Sequence, residues 1–429
     1  MEIFDLYGIK EKVLSITFDN AAISLFKQTL KPHYGGSFFH QRCACHIINL
    51  VVQDGMKQFE VYLDNVRAAL SFISSSGTRM QEFVQNIQWF GMTPKWLPTI
   101  VPNRWNAAYL MLEVALSYKD MVTTYYNGRN ADRLLTEADW QICQCFYYFL
   151  KVFYDATVTL SGVYYPTSHH ALHKLYDIAN AFEMHRDVEI FSATVAFMEN
   201  KFKKYWQKVP FLYCVAAALD PRMKLHGVDS LLRGIAEKLP VQGDEVITIQ
   251  DVRAQMSRMF ESYNRKYGGS STTSSTTTSS CIISPSSASW QNIMNTSSYS
   301  YSSSSSSSRS ELENYYETNF SAFFTNFDLL NFWKGQSTTF PVLSRMARDI
   351  LTTPVSTVAS EQVFSCSGRV LEEQRARMNE DILEALMCVK DWEDARRRGQ
   401  QFEDDMLTDF LNLDISDDST TTAGGSNTL

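Results

Sequence analysis

The chain of 429 residues has no excess of positive charge: 39 Lys and Arg face 47 Asp and Glu, a net charge of -8 at pH 7. An acidic chain is not a general polyanion binder, so any nucleic-acid contact has to come from local basic surface. The eight cysteines, at 43, 45, 143, 145, 214, 281, 366 and 388, follow no regular disulfide spacing, which points to a reducing compartment. "MEIFDLYGIK" lacks the basic and apolar regions of a signal peptide. The longest apolar run, around "VPFLYCVAAAL", is too short to span a bilayer. Neither a phosphate-binding glycine loop nor a serine-hydrolase elbow is present. The expectation is a soluble intracellular protein with no membrane partner and no small-molecule substrate.

What is present is core material: 45% hydrophobic and 13% aromatic residues, over a length that fits two or three domains. "KVLSITFDN" alternates apolar and polar side chains and reads as a short strand ending at Asp19. "SFFHQRCACHIINLVVQDG" reads as a second strand running into a helix closed by Gly55. Helical spacing then dominates, in Phe59, Leu63, Val66 and Leu70, in Trp140, Cys143, Tyr147, Leu150 and Tyr154, and in Val195, Met198, Phe202 and Tyr205. Pro94, Pro98 and Pro102 punctuate the connection before "NRWNAAYLML", and His169–His170 after "YYPTS" read as loop.

From residue 268 to 310 the composition collapses into Ser and Thr, too polar to offset its ordering entropy, and reads as a disordered linker. Beyond it, Asn379 serves as a helix N-cap, with Glu380 and Asp381 where the helix dipole favours acids. Ile382, Leu383, Leu386 and Val389 form one apolar stripe ending near Trp392, to be buried on its own domain or on a second copy of the chain. Arg396, Arg397 and Arg398 read as a nuclear-localisation element, a phosphate contact or a solvated helix end.

Four stretches, "GIKEKVLSITFDNAA", "RCACHIINLVVQDG", "NRWNAAYLML" and, above all, "FPVLSRMARDILTTPVSTVASEQVFSCSGRV", together resemble the hAT (Activator-like) transposases of plants, in the zinc-finger BED domain-containing RICESLEEPER and DAYSLEEPER group. The resemblance covers nearly the whole chain except the Ser-rich segment and the tail. It implies an α/β fold: an RNase H-like core, here incomplete at its N-terminus, interrupted by a large all-α insertion and finished by a helical dimerisation region. The expected division is 1–58 as a partial RNase H-like segment and 59–267 as the mainly helical region. Residues 268–310 are the linker, 311–400 the dimerisation region and 401–429 an acidic, then disordered tail.

Such enzymes use three carboxylates to hold two divalent metals roughly 3.5–4 Å apart, and Mg²⁺ suits the hard oxygen ligands. By resemblance Asp19 is the second of these acids and Glu361, in "ASEQVF", the third; both are expected metal ligands if the protein is active. The first acid lies upstream in the family, where only Asp5 stands here, and the BED finger lies further upstream still, so autonomous transposition is not expected. Cys43 and His46 match the family's CxxH near the active site, giving His46 a role by the scissile DNA. Four-ligand zinc needs a second pair, and no CxxC or HxxxH supplies one, so zinc is not expected. Arg104 and Trp105 match the family's RW, an Arg for phosphate and a ring for an unpaired base, or else a Trp buried at a domain junction. Leu343, Ile350 and Leu351 are expected with Ile382, Leu383, Leu386, Val389 and Trp392 at a dimer interface. The partners implied are a second copy, a related hAT protein and DNA, in the nucleus or the cytoplasm. The alternative is an active metal-dependent transposase or nuclease.

Overall fold

The computed structural model describes residues 6, 8, 13–18, 39–95, 105–129, 134–240, 246–268, 310–318, 320, 327–370 and 379–416. The chain divides into two units, Met1–Thr357 and Val358–Leu429. The described residues are mostly helical, and their strands are two.

In the first unit, β1 (Ser15–Phe18) pairs in parallel with β2 (Phe39–Arg42), from Ser15 opposite Phe39 to Phe18 opposite Arg42. The first strand thus stops just short of Asp19, as the alternation indicates. β2 runs at once into α1 (Ala44–Ser74), 31 residues and about 46 Å long at 1.5 Å per residue. Ile47, Ile48, Val51, Val52, Leu63, Val66, Leu70 and Ile73 recur at helical spacing and are all buried. Around α1 pack α2 (Gly77–Trp89), α3 (Trp105–Ser117), α4 (Lys119–Asn127), α5 (Glu137–Leu160) and α7 (Glu189–Trp206). The start of α5 is fixed by a reciprocal capping box between Thr136 and Asp139, which satisfies two orphan donors of its first turn.

Gly55 does not close α1, contrary to the sequence reading. The helix continues through it because its missing side chain is what lets α7 approach: a Cβ there would stand 2.3 Å from Met198 Sδ and 3.1 Å from Thr194 Cγ2. His169 and His170 are likewise not in a loop; they lie in the first turn of α6 (Ser168–His185).

The second layer of this unit centres on α8 (Phe211–Ala218), whose residues from Leu212 to Ala218 are all buried. α6, α9 (Lys224–Lys238), α10 (Ile249–Tyr267) and α13 (Pro341–Leu351) surround it. α11 (Glu311–Glu317) and α12 (Leu329–Gly335) pack with α13. The expected linker falls almost wholly outside the described residues, but the helices that follow it fold into the first unit rather than into a separate block. Tyr315 Oη donates to the Ala218 carbonyl (3.0 Å) and Trp333 Nε1 to the Leu219 carbonyl (2.9 Å), satisfying the buried end of α8. Glu311 accepts from the Val342 and Leu343 N–H groups (3.0 and 2.9 Å) and so caps α13.

The second unit contains α14 (Val358–Val370) and α15 (Glu380–Ser416), which pack on each other. α15 starts where Asn379, Glu380 and Asp381 indicate. It does not stop near Trp392: its backbone is helical through Ser416, including the acidic segment expected to fray. Residues 417–429 lie outside the described part.

The α1–α7 contact at Gly55 sets a test. Gly55→Ala gains about 1 kcal/mol of helix propensity but forces Met198 aside at about 1–3 kcal/mol. The expected outcome is a lower urea midpoint, and a Gly55→Ala/Met198→Ala double variant less destabilised than the sum of the singles by about 1 kcal/mol. Strict additivity would show that the two sites do not share this contact.

Candidate functional site

The edge of the small sheet is where segments distant in sequence meet. The Cys43 N–H donates to the Phe18 carbonyl (2.8 Å), so the start of α1 continues the pairing of β1 with β2. The Thr17 hydroxyl donates to the Pro354 carbonyl across 337 residues (2.6 Å), and the Ala44 N–H donates to the Val355 carbonyl (2.9 Å). Cys43 is the N-cap of α1: its sulfur accepts from the His46 N–H (3.4 Å) and also from the Thr357 N–H (3.3 Å). Sulfur is a weak acceptor, and here it completes two backbone ends at once. The "TTPVST" segment is therefore laced to the end of β1 and the start of α1, within one unit.

Two buried polar groups accompany this edge. Gln41 on β2 is 3% exposed, and neither its amide nitrogen nor its oxygen has a partner among the described residues. An amide desolvated in that way costs about 1–3 kcal/mol. Tyr213 is fully buried; burial first, then Cys43 and Cys45, push its phenol well above the usual range. Cys45 Sγ in turn donates to the Thr157 carbonyl at 3.7 Å.

The expected site residues fall in several places. His46 is half-buried in the first turn of α1, with Cys43 as its cap. Asp19, Asp5 and Arg104 lie outside the described residues. Glu361 is exposed in the first turn of α14, in the second unit. Trp105 begins α3 and is only 4% exposed, so its ring belongs to the core and not to a free stacking surface. Leu343, Ile350 and Leu351 are each fully buried on α13 within the first unit. They cannot face a second copy while they fill this core, which corrects their expected place at an interface.

Ile382, Leu386, Val389 and Trp392 on α15 are 53%, 44%, 57% and 68% exposed. Leu383 stands apart from them, about a hundred degrees round the helix from Ile382, and is half-buried. On the same helix, Arg396 and Arg397 both donate to Glu393, whose carboxyl is held down to about 2, chiefly by Arg396. Cys143 is buried, which pushes its thiol up to about 12, whereas Cys145 is exposed on another face of α5. Among the described residues no three His, Cys, Asp or Glu side chains converge on a point that could hold a metal.

Three family descriptions match successive parts of the chain. The hAT family C-terminal dimerisation region matches residues 311–393, the ZBED1 RNase-like helical domain 41–147, and the hAT-like transposase RNase-H fold 169–263. This is a hAT-family chain. It is 29% identical to a putative AC transposase of Zea mays, over 95% of its own length and 52% of the relative's. It is 30% identical to the zinc finger BED domain-containing protein RICESLEEPER 2 of Oryza sativa, over 90% of its length and 56% of the relative's. To DAYSLEEPER of Arabidopsis thaliana it is 24% identical, over 67% and 40%. The hAT chain thus spans about half the length of the curated relatives it matches. Its RNase-H-fold match falls on helices α6 to α10, not on the strands.

One cluster in the hAT chain escaped the sequence reading. Asp220, 3% exposed after α8, holds Arg222 bidentately, Nε to Oδ1 at 2.9 Å and Nη2 to Oδ2 at 2.6 Å. Lys224, at φ 48°, turns its ammonium to the Tyr316 and Thr318 carbonyls over the rings of Tyr315 and Phe320. Beside Asp220 and Arg222, the His169 and His170 rings lie 3.8 Å apart, tilted by 39°, with His169 Nδ1 buried and unbonded. Burial, then His170, depress His169 to about 3; Asp220 acts the other way and Arg222 with them. Burial also lowers His170, which Lys174 and His173 face too.

That depression fixes a sign. An unfolded His takes up its proton near 6.5, and His169 in the fold only near 3. Between those values the unfolded chain binds the extra proton, so this contribution is complete above 6.5 and declines as pH falls through the window. The urea midpoint should fall across it, and His169→Gln should make the slope shallower. An unchanged slope in that variant would assign the acid sensitivity to other groups.

Proposed function

We propose that this chain is a transposase-derived hAT protein that self-associates through its C-terminal helices and contacts DNA in the nucleus, without transposing on its own. The observation that carries the reading is the unpartnered apolar stripe of Ile382, Leu386, Val389 and Trp392, inside the span that matches the hAT dimerisation region. Each such side chain gains about 1.5–3 kcal/mol when it leaves water, which favours a covering surface. Val363 and Phe364 on α14, at 52% and 74% exposed, extend the apolar surface of the same unit. The covering surface is a second copy, or a related hAT protein carrying the same stripe. In this reading β1 and β2 belong to an RNase H-like sheet and the surrounding helices include the family's insertion. Arg104 remains the proposed phosphate contact.

Leu386→Asp tests the stripe. A carboxylate left unpaired in an interface costs about 3–5 kcal/mol, so self-association should weaken at least about 100-fold by light scattering. A dimer of unchanged strength would remove α15 from the interface.

The second reading is a metal-dependent nuclease that uses Asp19 and Glu361 with Mg²⁺, and it rests on the Glu361 motif. The resemblance assigns two acids, Asp19 and Glu361, and a two-metal clamp needs a third. The expected outcome is therefore no nicking of supercoiled DNA by this chain with Mg²⁺ or Mn²⁺. Nicking that appears with either ion and disappears in Glu361→Gln would establish the second reading instead.

A further inference from the structure

Within the second unit, a thiol and an amine from different helices are hydrogen-bonded to each other. Cys366 on α14 is 9% exposed, and Lys390, 24 residues later on α15, brings Nζ to 2.7 Å from its sulfur. Lys390 Nζ donates a hydrogen bond to this sulfur, a weak acceptor, and so holds amine and thiol in contact across the two helices. Lys390 is an exposed residue, which leaves a route for a small polar oxidant to the pair. The other buried thiols are placed differently. Cys43 accepts from two backbone N–H groups, Cys45 donates to the Thr157 carbonyl, and burial pushes the thiols of Cys143 and Cys214 up to about 12.

We propose that Cys366 and Lys390 are an oxidative modification site, at which a peroxide joins the two side chains covalently. In the first step the peroxide transfers an oxygen to the Cys366 sulfur: its O–O bond breaks, an S–O bond forms, and one water leaves with the thiol proton. The free-amine form of Lys390 then attacks that sulfur. An N–S bond forms, the S–O bond breaks, and the departing hydroxide takes the amine proton as a second water. One peroxide has been reduced to two waters, and the thiol–amine pair has lost two electrons and two protons. A second peroxide inserts one oxygen into the N–S bond and leaves as water, giving N–O–S. Both products fasten α14 to α15. Both residues lie in the span that matches the dimerisation region, so the link is a redox-responsive clamp on the element proposed to self-associate.

Peptide mass spectrometry on the full chain after graded hydrogen peroxide tests this directly. The expected product is one peptide pair joined at Cys366 and Lys390, about 2 Da lighter than the sum for the direct link or about 14 Da heavier for the oxygen-bridged one. A thiol reductant should reverse it. Lys390→Arg should lower the joined fraction at least about tenfold while Cys366 still oxidises to the sulfenic and sulfinic acids; Cys388→Ser should leave it unchanged. Oxidation of Cys366 in the unmutated chain without any lysine linkage would overturn the proposal, as would a disulfide to Cys388. The unmutated chain decides the matter alone, so a variant that fails to fold does not leave it open.

Discussion

A helix that ends inside a protein leaves carbonyls that something must meet, and that constraint governs the first unit. α8 is buried along nearly its whole length, and its last carbonyls are met by Tyr315 and Trp333, 97 and 114 positions further on. Water cannot substitute there, because each unmet buried acceptor costs about 1–3 kcal/mol. The first unit is therefore incomplete until residues 311–357 return to it. Lys224 and Asp220, just after α8, organise the same junction: one donates to carbonyls at the end of α11, the other holds Arg222 beneath the Phe327 ring. The same return carries α13 into the core and brings "TTPVST" to the edge of the sheet, where Cys43 receives it.

This explains which parts of the fold were legible in the sequence. Periodicity marked the buried faces of α1, α5 and α7, and the alternation of "SITF" marked β1, because each pattern is local. Gly55 misled because glycine has two uses. At a helix end it supplies backbone freedom, whereas inside α1 it supplies room for Met198. His169 and His170 misled for a related reason. Two histidines after a Pro-Thr-Ser sequence read as polar loop, yet Asp220 and Arg222, about fifty residues away in sequence, receive them at the foot of α6. Neither tertiary partner leaves a trace in the local pattern.

The candidate site divides along the same line. The CxxH of Cys43 and His46 was readable, and the structure gives its cysteine a concrete task as the cap that takes an N–H from each of two segments. Trp105 was the ambiguous residue, offered either as a base platform or as a junction core residue; only the second fits a ring 4% exposed. A stacking surface requires an exposed π-face, so of the RW pair only Arg104 belongs to the proposed DNA contact.

The interface reading depends on separating two helices that the sequence made look alike. α13 and α15 both carry apolar stripes next to charged positions, and pattern alone assigns both to a partner. They differ in what covers them. α13 packs against α8, α10 and α12, and its Leu343, Ile350 and Leu351 have no exposed area left to contribute. Ile382, Leu386, Val389 and Trp392 retain roughly half or more of theirs, while Leu383, round the same helix, is already half-buried. One copy of the chain thus uses one face of α15 and leaves the adjacent face unused. An apolar stripe left open to water on an amphipathic helix favours a covering surface. In the proposed reading, self-association buries this remaining area together with Val363 and Phe364 on α14.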